Sequence, residues 1–213
     1  MATVIVDYNS GNLHSARKAF QRMAVEGDSG EIVVSSAPET IAKATRLVLP
    51  GVGAFADCRA GLASYDGLFE AMEEAVLKRG VPFLGICVGM QMMASRGLEH
   101  GLDTKGFDWI KGEVVALRPD DPTLKIPHMG WNELVLGRAH PVLKGISSGD
   151  HGYFVHSYHL VASNPVERLA HCDYGGEVTA IVARDNMLGT QFHPEKSQST
   201  GLRLIGNFLA WKP

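Results

Sequence analysis

An α/β fold, built as an open and mostly parallel sheet flanked by helices with additional antiparallel strands in the C-terminal half, is predicted by three features of this sequence. Short β-branched runs alternate with helical patterns through the first hundred residues, the rhythm of parallel βαβ units. After Gly101 the pattern changes to meander-like strands. Between the two, an apolar run stops at a Gly-x-Cys-x-Gly turn and continues as helix formers. A chain of 213 residues, 45% of them hydrophobic, has material for one sizeable core, and no linker, repeat or low-complexity segment divides it. One domain over residues 1–213 is expected.

The elements follow in order. Val4-Ile5-Val6 reads as the first strand, and a helix from about Leu13 to Met23 carries Leu13, Ala16, Phe20 and Met23 on one face. Glu31-Ile32-Val33-Val34 is the second strand, a helix lies near Glu39, and Leu47-Val48-Leu49 is the third strand. A helix runs from about Leu68 to Lys78 without a Gly or Pro break until Gly80 ends it before Pro82. The cysteine strand follows directly. Beyond Gly101, Glu113 to Leu117, Gly152 to His156 and a hairpin through Gly175-Gly176 precede a final helix from about Gly201 to Trp211. Met90, Met92 and Met93 read as core.

Composition narrows the function. Net charge is −3 with Lys and Arg scattered, so no basic stripe matches a phosphate backbone, and nucleic acid is not an expected partner. The N-terminus reaches Asp7 after a few apolar residues, without a basic leader, and no apolar run approaches about 18 residues. A soluble, cytoplasmic protein with no membrane partner is expected. Cys58, Cys87 and Cys172 are an odd number without CxxC spacing, which supports neither a disulfide framework nor a zinc ribbon.

Chemistry concentrates around Cys87. Glycines two residues to either side allow a turn tight enough to hold the cysteine at the tip of a strained strand-to-helix elbow, its sulfur exposed above the sheet. The positive end of the following helix favours thiolate, and the Val88 N–H points at an oxygen that becomes negative after attack. On this pentapeptide alone, a buried cysteine in a glycine-rich turn is an equally open reading.

The base such a cysteine needs is in Gln191-Phe192-His193-Pro194-Glu195-Lys196-Ser197. Pro194 biases His193 towards an extended backbone, where residues two apart face the same way, so His193 and Glu195 project together on a late strand. Glu195 then fixes one ring nitrogen and leaves the other to act as base and acid. A surface His-Pro-Glu turn is the alternative, and the elbow in the same chain weighs against it. A second glycine turn, Pro50-Gly51-Val52-Gly53, should neighbour the elbow and can supply a second oxyanion donor, with the Val52 peptide free to rotate between its glycines. A phosphate loop there lacks the Lys-Ser/Thr and the Gly-x-Gly-x-x-Gly register. The nine histidines do not suggest a metal: His156 and His159, three apart on an apparent strand, face opposite sides, and His151 and His159 share a face about 26 Å apart at about 3.3 Å per residue. No metal or cofactor is expected.

These motifs resemble those of class I (triad) glutamine amidotransferases. Asp7-Tyr8-Asn9-Ser10-Gly11-Asn12-Leu13, Pro127-His128-Met129-Gly130-Trp131-Asn132, Tyr153-Phe154-Val155-His156-Ser157-Tyr158 and the His-Pro-Glu-Lys-Ser segment are similar to the histidine-biosynthetic branch, the glutaminase subunits of imidazole glycerol phosphate synthases. The resemblance runs from end to end, with small departures at Asn9, where glycine is more usual, and Val88, where leucine is common. It implies that Cys87 attacks the carboxamide of glutamine, that His193 protonates the departing ammonia, and that water cleaves the glutamyl thioester. Val52, Gly53 and Val88 form the oxyanion site; Gly51, Gln91 and Glu99 help hold the substrate, with the backbone at Ser157 and Tyr158 gripping its amino-acid end. Ammonia freed into water near pH 7 becomes ammonium and is lost as a nucleophile, so a partner must receive it directly. The resemblance names that partner, a β/α-barrel cyclase subunit in a heterodimer, which makes imidazole glycerol phosphate and an aminoimidazole carboxamide ribotide. It places Tyr8, Asn12, Trp131 and Lys196 at the interface. The glycine turn is expected to rest with a carbonyl facing the oxyanion site until the loaded cyclase docks.

Other classes fit less well. An α/β-hydrolase with a cysteine nucleophile shares the elbow, but its acid usually precedes the histidine by many residues. Other amidotransferase branches keep the triad without Met-Gly-Trp-Asn, and a non-enzymatic binding module has no use for the three groups together.

Overall fold

The structure, a computed structural model, describes residues 2–213. Runs of Val, Ile and Leu form strands β1 (Ala2–Val6), β2 (Glu31–Ser35), β3 (Arg46–Gly51) and β4 (Phe83–Cys87), separated by helices α1 (Leu13–Glu26), α2 (Pro38–Ala42), α3 (Phe55–Ala63) and α4 (Leu68–Glu73). The one-turn helix α5 (Val88–Gln91) follows, then β5 (Arg96–Glu99), β6 (Leu102–Lys105), β7 (Gly112–Ala116), β8 (His128–Glu133), β9 (Val135–Leu136), β10 (His151–His156), β11 (Tyr158–Ala162), β12 (Arg168–Asp173), β13 (Glu177–Arg184), β14 (Met187–Thr190) and α6 (Gln198–Ala210).

The main sheet has eight strands in the order β2-β1-β3-β4-β14-β13-β12-β9. From β2 to β14 neighbours are parallel, and from β14 outwards they are antiparallel. The central parallel strands β3 and β4 are buried throughout, as expected where helices cover the sheet, while β2 at the edge is only partly buried. A four-stranded sheet, β11-β7-β5-β6, and a two-stranded ribbon, β10-β8, complete the C-terminal half. Helices α1 and α6 pack on each other through an edge-to-face pair, Phe20 and Phe208, with centroids 6.4 Å apart. Each of these rings is fully buried, worth about 1.5–3 kcal/mol in removed apolar surface.

Several elements differ from the sequence reading. Helix α3 was not expected, because Pro50, Gly51 and Gly53 read as a long turn; its buried Phe55, Cys58 and Leu62 do keep helical spacing. The helix expected over 68–78 is α-helical to Glu73 and closes as a π-turn over Glu74–Lys78. The last helix starts at Gln198, not Gly201, and Gly201 marks a close approach: a Cβ there would lie 1.9 Å from the Pro194 carbonyl oxygen. The chain bends at Ser157, so His156 and His159 are on strands of different sheets and not on one strand. That bend turns the backbone of Ser157 and Tyr158 into the space above Cys87.

Candidate active site

Strand β4 lies centrally between β3 and β14 and delivers Cys87 at its C-terminal edge. Cys87 has φ 54° and ψ −111°, a left-handed backbone that costs an L-residue of order 1–3 kcal/mol. The glycines make the elbow possible: a Cβ at Gly89 would lie 1.9 Å from the Leu49 carbonyl oxygen, and one at Gly85 would lie 2.6 Å from that of Gly89. Two details correct the sequence reading. The sulfur is not exposed above the sheet, since Cys87 is only 4% exposed and lies in the wall of a cavity of about 530 Å³. The helix behind it is a single turn, too short to supply the macrodipole expected from the sequence.

His193 follows β14 by three residues, and its backbone is held by an N–H donated to the Tyr153 carbonyl at 2.9 Å. Its Nδ1 lies 2.9 Å from Glu195 Oε1, and both side chains are 3% exposed. The pair is not made by an extended run as expected: Pro194–Lys196 form a 3-10 turn, which swings Glu195 back under the ring. Burial disfavours the imidazolium, but the sulfur of Cys87 and the carboxylate of Glu195 outweigh it and raise His193 from 6.5 to about 10. Among the described residues, Nε2 of His193 is buried without a hydrogen-bond partner, which leaves it for the thiol and for a leaving group.

The cavity is lined by Val52, Gly53, Cys87, Val88, Gln91 and Glu99, and by the bend at His156, Ser157 and Tyr158. Gln91 donates through Nε2 to the Tyr158 carbonyl at 2.8 Å and to Gln191 Oε1 at 3.1 Å. Gln191 Nε2 in turn lies 3.7 Å from Cys87 Sγ. Sequence reasoning gave Gln191 no role; its place two residues before His193 on the segment leaving β14 was the available signal. Glu99 lines the cavity, and its Oε2 accepts the first amide of α3, from Phe55, at 2.6 Å. Gly51 lies against the elbow, where a Cβ would be 2.8 Å from Gly89 N. Among the described residues no group of three or more His, Cys, Asp or Glu side chains could hold a metal ion.

A parallel pair joins Gly51 to Cys87 and sets the glycine turn beside the elbow. The family described as glutamine amidotransferase class-I matches residues 4–211. The chain belongs to the class-I glutamine amidotransferases. The imidazole glycerol phosphate synthase subunit HisH of Cereibacter sphaeroides is 66% identical over 213 residues, covering 100% of both chains. The protein of that name from Ruegeria pomeroyi is 61% identical with the same coverage. A crystal structure titled glutamine amidotransferase aligns with a TM-score of 0.70 at 18% identity, over 98% of this chain and 99% of that one. Another from Thermotoga maritima gives 0.62 at 15% identity, over 92% and 76%.

Not every residue singled out for this amidotransferase's surface lies there. Tyr8, expected at a partner interface, is 1% exposed, and its hydroxyl donates to the Pro50 carbonyl at 2.7 Å, bracing the glycine turn from inside. Asn12 is exposed and its side chain caps α1 by accepting from Ser15 N. Trp131 is 46% exposed on β8, edge-on to Tyr153, and Lys196 places its ammonium 5.8 Å from the same Tyr153 ring.

Proposed function

We propose that residues 1–213 act as one glutaminase domain in which Cys87 is nucleophile, His193 is acid and base, and Glu195 orients His193. The observation that carries this reading is the convergence of a strained, buried Cys87 and a Glu195-held His193 on one cavity. His193, raised to about 10, already holds the thiol proton when the sulfur adds to the carboxamide carbon of glutamine. The oxyanion is met by the Val88 N–H and, after rotation of its peptide, the Val52 N–H, with Gly53 as hinge. Collapse breaks the C–N bond, His193 hands its proton to the amine, and ammonia leaves. Water, deprotonated by His193, then cleaves the thioester to glutamate and free thiol. Gln91, Glu99, Gly51 and the backbone of Ser157 and Tyr158 hold the substrate.

The ammonia is used by a partner, in keeping with relatives named as synthase subunits. We assign as partner a β/α-barrel cyclase that makes imidazole glycerol phosphate and an aminoimidazole carboxamide ribotide in histidine biosynthesis, in the cytoplasm. Among the described residues no helix is long and apolar enough to cross a membrane. The exposed apolar side chains Met129 and Trp131 on β8, with Lys196 and Asn12, are the surface assigned to it.

The test is glutamate release from glutamine by the chain alone, with the cyclase, and with the cyclase and its ribonucleotide substrate. Turnover that rises with each addition and vanishes in Cys87→Ala is expected. No hydrolysis in any mixture would overturn the reading.

A further inference from the structure

Buried beside the cavity are two histidines that the chemistry above does not use. His156 Nδ1 lies 2.9 Å from the Tyr158 carbonyl oxygen, and its Nε2 lies 3.1 Å from Nδ1 of His128. His128 Nε2 lies 3.3 Å from Asn132 Nδ2, which also donates to the Asp173 carbonyl at 2.8 Å. The His128 ring is clamped, stacked on Tyr174 with centroids 3.9 Å apart and on Phe154 at 4.8 Å.

The direction of this chain is fixed from both ends. A carbonyl oxygen only accepts, so His156 must carry its proton on Nδ1. Its Nε2 is then an acceptor, which requires His128 to donate from Nδ1 and leaves His128 Nε2 to accept from the Asn132 amide. All donors and acceptors are matched only when both rings are neutral and both hold the Nδ1–H tautomer. The anchored oxygen matters because Gln91 donates to the same Tyr158 carbonyl at 2.8 Å and also reaches Gln191, beside Cys87.

We propose that His156, locked in its Nδ1–H tautomer by His128, is a positioning residue for the glutamine subsite, fixing the Tyr158 backbone and through it Gln91. The proposal rests on the glutaminase reading. Because His128 opens β8, the strand that carries exposed Met129 and Trp131, the same relay ties the substrate's binding wall to the strand assigned to the partner.

The experiment uses the chain in complex with its cyclase partner and glutamine as substrate. His156→Leu removes the donor at similar volume and is expected to raise KM for glutamine about tenfold, the loss of one buried hydrogen bond, with kcat within about threefold. His156→Asn, whose amide nitrogen can occupy the place of Nδ1, should restore KM to within about threefold of wild type. In the wild-type chain, ¹⁵N NMR of the ring nitrogens should find His156 and His128 protonated on Nδ1, a readout that does not need activity or a folded variant. His128→Phe keeps the stack on Tyr174 and should abolish the tautomer preference of His156. A proton on Nε2 of His156 in the wild type, or an unchanged KM in a folded His156→Leu beside normal wild-type hydrolysis, would overturn this inference alone. Absence of glutamine hydrolysis by the wild-type complex would overturn the glutaminase reading as well.

Discussion

Ser10 holds both ends of the Val52 residue: its Oγ accepts the Val52 N–H at 3.2 Å and its hydroxyl donates to the Val52 carbonyl at 2.8 Å. Cys58 Sγ donates to the same carbonyl at 3.3 Å. In a planar trans peptide the Gly51 carbonyl lies opposite the Val52 N–H, so the amide proposed as an oxyanion donor is engaged by Ser10 in this conformation. Ser10→Ala removes both Ser10 bonds. Glutaminase turnover of the isolated chain should rise several-fold in that variant, against the 10²–10³ that a missing oxyanion donor costs. Gly53→Ala should act in the same direction: its Cβ would meet nothing within 4 Å, yet its φ of +100° disfavours any side chain in the resting turn. Basal turnover equal to wild type in both variants would remove Ser10 as a latch.

Cys87→Ala should abolish glutamine hydrolysis and leave the complex with the proposed cyclase partner intact, as read by size-exclusion chromatography. A glutamine-like electrophile should label Cys87 first. Burial raises the thiol pKa of Cys58 and pushes Cys172 up to about 12, and neither is placed beside a base as Cys87 is beside His193. Peptide mapping that finds Cys58 or Cys172 modified ahead of Cys87 would contradict this order.

Glu195→Gln should lower kcat by two to four orders of magnitude, about the size seen when the acid that orients a catalytic histidine becomes an amide, while KM for glutamine changes little. The substitution leaves Gln91, Tyr158 and the glycine turn untouched. Near-normal kcat would mean that another group orients His193.

Acid should destabilise the fold before it titrates most carboxylates. Burial lowers His128 and His159 from 6.5 to about 4 and His156 to about 3. Their folded pKa values lie below the unfolded one, so the unfolded chain binds more protons below about pH 6.5. Stability from their neutral burial is full above that pH and is lost as pH falls towards 4 and 3. Urea midpoints measured from pH 7.5 to 4.5 should fall, and the fall should be shallower in His128→Phe.

Much of this was legible in the residues themselves. The parallel strands announce themselves as unbroken Val, Ile and Leu runs, since both faces are covered, and Gly85, Cys87 and Gly89 fix the elbow by steric need alone. Strands β5, β6 and β9 were not legible, being two to four residues long and held by neighbours far along the chain. Strand β8 hid because Gly130 and Pro127 interrupt its signal. The His156 relay depends on the bend at Ser157, which no local pattern marks, and the Ser10 latch spans 42 positions. Tyr8 was placed at the interface by the resemblance alone, and a motif match says nothing of which side of the turn an aromatic packs on.

The left-handed backbone of Cys87 sets activity against robustness. At φ 54° and ψ −111° the best-suited residue is glycine, which adopts that conformation without strain. Cys87→Gly should therefore melt several degrees above the wild type while being catalytically dead. On the proposed reading the thiol is held at this position for turnover and not for the fold, and a lineage released from the need for ammonia would be expected to drift there to glycine while its sheet stayed intact.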